Sequence, residues 1–138
     1  MKDESDLFEA ALKVAEHSYS PYSKFRVGAA ILCEDGSVIT GANVENRSFG
    51  LTICAERSAL VTAISEGKKS FSAIAIATPD AEYPVSPCGA CRQVLSEFFP
   101  PEAPVSFGNS KTSCVNTTIA ALFPFDALHE LAEEGKKL

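Results

Sequence analysis

Two short cysteine motifs, Cys54-Ala55-Glu56 and Pro87-Cys88-Gly89-Ala90-Cys91, constrain this chain more than any other feature. Their three thiols have the spacing of metal ligands, so the segments that carry them must converge on one ion. Zinc held by three protein ligands keeps its fourth tetrahedral position open, which marks a catalytic rather than a structural site. Glu56 lies two residues from the first thiol and outside the ligand set, where a general acid/base would stand. Each motif also opens a helix. Residues 55–66 are rich in alanine and close at Gly67. Residues 86–99 start with Ser86 as the expected N-cap and Pro87 at the first helical position. Cys88 and Cys91, three apart, then share one face of that helix's first turn. Electropositive helix N-termini lower thiol pKa and favour the thiolate a metal needs.

The rest of the chain reads as one domain over residues 1–138. An amphipathic pattern predicts a helix over 3–17, stopped by Ser20-Pro21. Residues 25–33 and 37–43 read as a hairpin across Glu34-Asp35-Gly36. Ala73-Ile74-Ala75-Ile76-Ala77 has the all-apolar character of a central strand buried on both faces. Further strands are expected at 105–107 and 113–116, a helical turn at 118–122, and a helix at 126–134 capped by Asp126. In that last helix Leu128, Leu131 and Ala132 are expected to form a packing face. The β-β-α-β-α-β order predicts a mixed sheet with helices on both faces.

Taken together, these motifs resemble those of the cytidine deaminases, in their short, single-domain form. Ser20-Pro21-Tyr22-Ser23-Lys24-Phe25-Arg26-Val27-Gly28-Ala29-Ala30 is similar to the family's opening strand signature. Gly41-Ala42-Asn43-Val44-Glu45-Asn46 is similar to its ribose-binding Asn-x-Glu. Thr52-Ile53-Cys54-Ala55-Glu56-Arg57 and Pro87-Cys88-Gly89-Ala90-Cys91-Arg92-Gln93 match its metal and acid/base blocks. The resemblance implies an α/β fold, a three-layer α/β/α sandwich around a five-stranded mixed sheet. It implies one Zn²⁺ per subunit on Cys54, Cys88 and Cys91. Cytidine and deoxycytidine would lose their amine to water in pyrimidine salvage, with Glu56 as the proton carrier.

It further implies Asn43 and Glu45 on the ribose hydroxyls, Phe25 and Tyr22 lining the pyrimidine pocket, and the Ala55 backbone on the base edge. Asn43 and Glu45, two apart at a strand end, share one face; a plain polar strand end is the alternative. Phe25 reads equally as a strand core residue. Three thiolates against one dication leave a net negative charge. Arg57 is the candidate to offset it by donating to cysteine sulfur, with a surface arginine as the alternative. The C-terminal part departs from the family's Leu-Leu-Pro-x-x-Phe: Leu122-Phe123-Pro124 runs directly into Phe125, and Ala127 holds the expected phenylalanine position.

A net charge of −6 with dispersed basic residues argues against polynucleotide partners. The acidic start, Met1-Lys2-Asp3-Glu4-Ser5-Asp6, lacks the build of a signal peptide, and no apolar run approaches membrane-spanning length. A cytoplasmic protein without membrane partners, assembled as a homotetramer on the family's pattern, is expected. Two alternatives remain open. One is a deaminase of another aminated pyrimidine nucleoside, such as blasticidin S. The other is a non-catalytic zinc-binding module, which would want a fourth protein ligand.

Overall fold

In the computed structural model, which describes residues 4–127 and 129–136, helix α1 (Glu4–Val14) runs into a single 3-10 turn, Ala15–His17. The hairpin of β1 (Gly28–Cys33) and β2 (Val38–Ala42) follows, then a 3-10 turn at Phe49–Leu51 and helix α2 (Ala55–Ser65). Strand β3 (Phe71–Ala77), helix α3 (Gly89–Phe98), strands β4 (Pro104–Ser110) and β5 (Ser113–Thr118), and helices α4 (Ile119–Leu122) and α5 (His129–Lys136) complete the chain. The five strands form one sheet in the order β2-β1-β3-β4-β5. Only β3 and β4 pair in parallel; the other neighbours are antiparallel.

Side-chain alternation along β3 separates the two faces. Ile74 and Ile76, joined by Phe71 across the register shift at Ser72, meet Leu60 of α2 and Leu95 and Phe99 at α3. Ala73, Ala75 and Ala77 turn to α1 and its Leu7, Phe8 and Ala11. One helix therefore covers one face and two helices the other, which gives the expected three layers. Each fully buried Leu, Ile or Phe in these clusters contributes about 1.5–3 kcal/mol through removal from water.

Small residues let the helices sit directly on the strand backbone. A Cβ at Gly28 would lie 2.0 Å from the Ala11 carbonyl oxygen, and one at Gly41 would lie 2.4 Å from the Ala59 nitrogen. Gly28 is opposite Ala42 on one side and Ala77 on the other, so these contacts mark one end of the sheet. The carboxyl ends of β2, β3 and β4 all lie at that end, where open α/β sheets bind their ligands.

Three sequence expectations need correction here. Strand β1 starts at Gly28 and not at residue 25, because the Phe25 carbonyl and the Arg26 and Val27 N–H groups bond to side chains, and the Val27 carbonyl alone takes a main-chain N–H, that of Asn43. The last described helix spans His129–Lys136, and Asp126 lies before it in irregular backbone, its carbonyl oxygen 3.2 Å from His129 Nδ1. Leu131 is 66% exposed, so the expected packing stripe does not form around it; Leu128 lies outside the described residues. No described helix is long and apolar enough to cross a membrane.

Candidate active site

Helices α2 and α3 point their N-termini at the same place. Cys54 is the N-cap of α2, in extended backbone (φ −70°, ψ 152°). Cys88 is the N-cap of α3, and its sulfur accepts the Cys91 N–H at 3.4 Å. The Sγ atoms of Cys54, Cys88 and Cys91 all lie within 4.8 Å of one another. Sulfurs held at ~2.3 Å from one zinc ion stand about 3.8 Å apart, so the cluster has the size and the donor chemistry for that metal. Burial is graded across it: Cys91 is buried, Cys54 half-buried and Cys88 exposed.

The sequence placed the start of α3 two residues too early. Ser86 and Pro87 precede the helix because Arg92 holds them there. Its Nε donates to the Pro87 carbonyl at 2.9 Å, its Nη2 to Ser86 Oγ at 2.9 Å and its Nη1 to the Leu122 carbonyl at 3.0 Å. Cys88 then takes over the capping role with sulfur in place of the usual oxygen. Arg92 is a positioning residue that sequence reasoning missed; its place beside Cys91 was the available signal.

Electrostatics within the cluster favour a thiolate. The Cys54 pKa is pushed down to about 5, first by a hydrogen bond from Cys91 and then by Arg57, against the effect of burial. Cys91, as the donor of that bond and a buried group, is pushed up. Arg57 Nη2 donates to Cys54 Sγ at 3.2 Å, so this arginine is turned to the cluster and not to solvent. Glu56, in the first turn of α2, is 5% exposed. Burial raises its pKa to about 6, against a hydrogen bond from its own main-chain N–H. Ala55, between the first thiol and this carboxyl, is fully buried and presents a first-turn amide, one of those that lack an intrahelical partner.

Beside the cluster lies an irregular rim. Val44 bridges Tyr19 on one side and Ile53 on the other, which brings the end of β2 next to Cys54. Asn43, 7% exposed, accepts the Val27 N–H at 2.9 Å and the Ser18 hydroxyl through Oδ1. Its Nδ2 donates to the Phe25 carbonyl at 2.9 Å. Glu45 Oε1 accepts the N–H groups of Tyr22 at 3.1 Å and Ser23 at 3.2 Å, while Oε2 accepts the Ser23 hydroxyl. That hydroxyl is the first cause of the lowered Glu45 pKa. Asn43 and Glu45 thus share one side, as their spacing predicts, and both bond to residues 18–27. One Asn43 amide proton and further Glu45 lone pairs lie outside these bonds.

Within that segment Lys24 adopts φ 60°, a left-handed conformation costly for a side chain with a Cβ, and it sits between the residues tied to Glu45 and those tied to Asn43. Phe25 is half-buried at the rim. Tyr22 is half exposed and meets Phe49 edge-on, centroids 5.8 Å apart. Phe125 is 92% exposed, so it is no part of this chain's core. The two histidines, His17 and His129, are exposed and bring no ligand to the cluster.

Comparisons with known proteins agree with this geometry. The profile of the "Cytidine and deoxycytidylate deaminase zinc-binding region" matches residues 1–106. A cytidine deaminase of Halalkalibacterium halodurans is 49% identical over 122 residues, 88% of this chain and 92% of the relative. A blasticidin-S deaminase of Bacillus cereus is 36% identical over 109 residues, 74% of this chain and 76% of the relative. Among solved structures, the 1.6 Å crystal structure of cytidine deaminase from Burkholderia pseudomallei superposes with a TM-score of 0.86 at 42% identity, covering 91% of this chain and 99% of that one. With its three thiols converged and a buried carboxyl beside them, the chain belongs to the zinc-binding cytidine and deoxycytidylate deaminase family.

Proposed function

We propose that this protein hydrolyses cytidine and deoxycytidine to uridine and deoxyuridine, releasing ammonia, as a pyrimidine salvage enzyme. The observation that carries this reading is the buried Glu56 carboxyl beside a three-thiol cluster at two helix N-termini. Cys54, Cys88 and Cys91 would hold one zinc ion. When bound, zinc supplies Lewis acidity towards a water at its open position, lowering that water's pKa. Glu56 takes a proton from the attacking water at a carboxylate oxygen. It passes that proton to the ring nitrogen beside carbon 4, then takes the proton of the hydroxyl now on carbon 4 and gives it to the departing amine, so that ammonia leaves and a carbonyl remains. A carboxyl with a pKa raised to about 6 is suited to both accepting and donating near neutrality. The Arg57 guanidinium, donating to Cys54 sulfur, draws charge from the ligand set.

The same reading gives Phe25 and Tyr22 the faces of the pyrimidine and Ala55 its edge. It gives Asn43 and Glu45 the ribose hydroxyls, through the amide proton and lone pairs left after their bonds to the rim. The net charge of −6 fits a neutral nucleoside better than a polynucleotide. Five free cysteines fit a reducing compartment such as the cytoplasm. A homotetramer is supported by the exposed apolar run of Val44, Phe49, Leu51 and Ile53 beside the site. A non-catalytic zinc module fits less well: among the described residues the cluster offers three ligands, and Glu56 would have no task.

Ultraviolet-monitored turnover of both nucleosides tests the reading, with Glu56→Ala as control. Conversion by the wild type and none by the variant supports it. Absence of conversion by folded, zinc-loaded protein overturns it. In that event blasticidin S is the next substrate to assay, given the similarity to a blasticidin-S deaminase.

A further inference from the structure

Residues 25–27 lie just beyond the end of β1, at the level where Gly28 is paired with both Ala42 and Ala77. On the β2 side, the Asn43 side chain takes the Val27 N–H and gives a proton to the Phe25 carbonyl. On the β3 side, the intervening Arg26 is held by Asp80, three residues past the end of β3. The Asp80 Oδ2 accepts the Arg26 main-chain N–H at 2.9 Å and its Nε at 3.0 Å, and Oδ1 accepts Nη2 at 2.7 Å. Main-chain groups of three successive residues are therefore taken up alternately from the two sides, as in a central strand. The partners of these three groups are side chains, while the Asn43 main-chain N–H, donating to the Val27 carbonyl at 3.2 Å, makes the last main-chain bond on the β2 side. Asn43 stands in for the ladder of β2, and Asp80 for that of β3.

We propose that Arg26 and Asp80 are positioning residues for nucleoside binding, and that their forked ion pair fixes the Phe25 wall from the side opposite Asn43. The proposal rests on the deaminase reading and on Phe25 facing the base. An ordinary surface ion pair contributes little. This one is bidentate, includes a main-chain donor and spans 54 residues of sequence. The arginine and aspartate side chains remain 44% and 27% exposed, so their replacement leaves the core intact.

Steady-state kinetics on cytidine test this with Arg26→Ala, Asp80→Ala and the double variant. Arg26→Ala removes the fork and keeps the main-chain bond, whereas Asp80→Ala removes both. KM should rise roughly threefold in the first and about tenfold in the second. The double variant should be no worse than Asp80→Ala alone, with kcat within about twofold of the wild type throughout. Zinc content should stay at one ion per chain. An unchanged KM in Asp80→Ala, effects that multiply in the double variant, or a loss confined to kcat would each overturn the proposal. If the wild type turns over cytidine normally and KM does not move, this proposal alone falls. A wild type inactive on cytidine brings down the deaminase reading and this proposal together.

Discussion

The metal end of the site and the rim proposed to take the substrate are built differently. Cys54, Glu56, Cys88 and Cys91 belong to the first turns or caps of two helices that rest on the sheet. Their spacing follows from helix geometry, and the burial of Cys91 and Glu56 from the core beneath. The rim, residues 18–27 with 43–53, has one 3-10 turn, Phe49–Leu51, and isolated bridges of its own. Besides the main-chain bonds of those bridges, it is held by side chains bonded to main chain: Asn43, Glu45 and Asp80. On the proposed reading, chemistry thus sits on regular structure and recognition on irregular structure. Substitutions at the first should strike kcat, and those at the second should strike KM and local stability.

The sharpest break in that contrast comes from Glu56→Ala. It should lower kcat by at least ~10²–10⁴-fold, with zinc retained, as read by turnover and metal analysis. Arg57→Ala comes next, with zinc affinity or turnover reduced about 10–100-fold. If both were unchanged, the arginine would have no part in balancing the thiolate charge. At the rim, Asn43→Ala leaves the Val27 N–H and the Phe25 carbonyl without their partner. A stability loss of about 1–3 kcal/mol in urea unfolding, with raised KM, is expected. A fall in kcat as large as that of Arg57→Ala would erase the distinction between the two regions.

The smallest effect concerns acid. Asp80 is held below the usual carboxylate range, first by its hydrogen bond with the Arg26 side chain. A depressed folded pKa contributes stability above the unfolded value, lost as pH falls through the folded one. The gap in Tm between wild type and Asp80→Ala should therefore be full near neutrality and close as pH drops below about 3.9. A gap that persists in acid would assign the pair's contribution to packing.

The same division explains what could be read in the chain beforehand. Cys54, Glu56, Cys88 and Cys91 were legible because metal spacing and helix starts are local patterns. The alternating Ile and Ala of β3 were legible for the same reason. Ser18, Asp80 and Arg92 were not, since their partners, the Asn43 amide oxygen, the Arg26 main chain and guanidinium, and the Ser86, Pro87 and Leu122 oxygens, are set by tertiary contact and carry no sequence signature. The early start given to α3 shows the limit: Ser-Pro is a good helix opening in isolation, yet Arg92 binds both residues and hands the cap to a cysteine. Asn43 and Glu45 were found as a pair, but their bonds to Phe25, Val27, Tyr22 and Ser23 depend on a loop that closes over them only in three dimensions.

Gly41 carries a consequence beyond packing. Because residue 41 has no side chain, α2 meets β2 backbone to backbone at Ser58 and Ala59, within a turn of Glu56. No layer of solvent fits beneath that turn, so the local dielectric around the carboxyl is low. Desolvation is the foremost cause of its raised pKa. A missing methyl group fifteen positions earlier in the chain thus helps keep the proposed acid/base out of water.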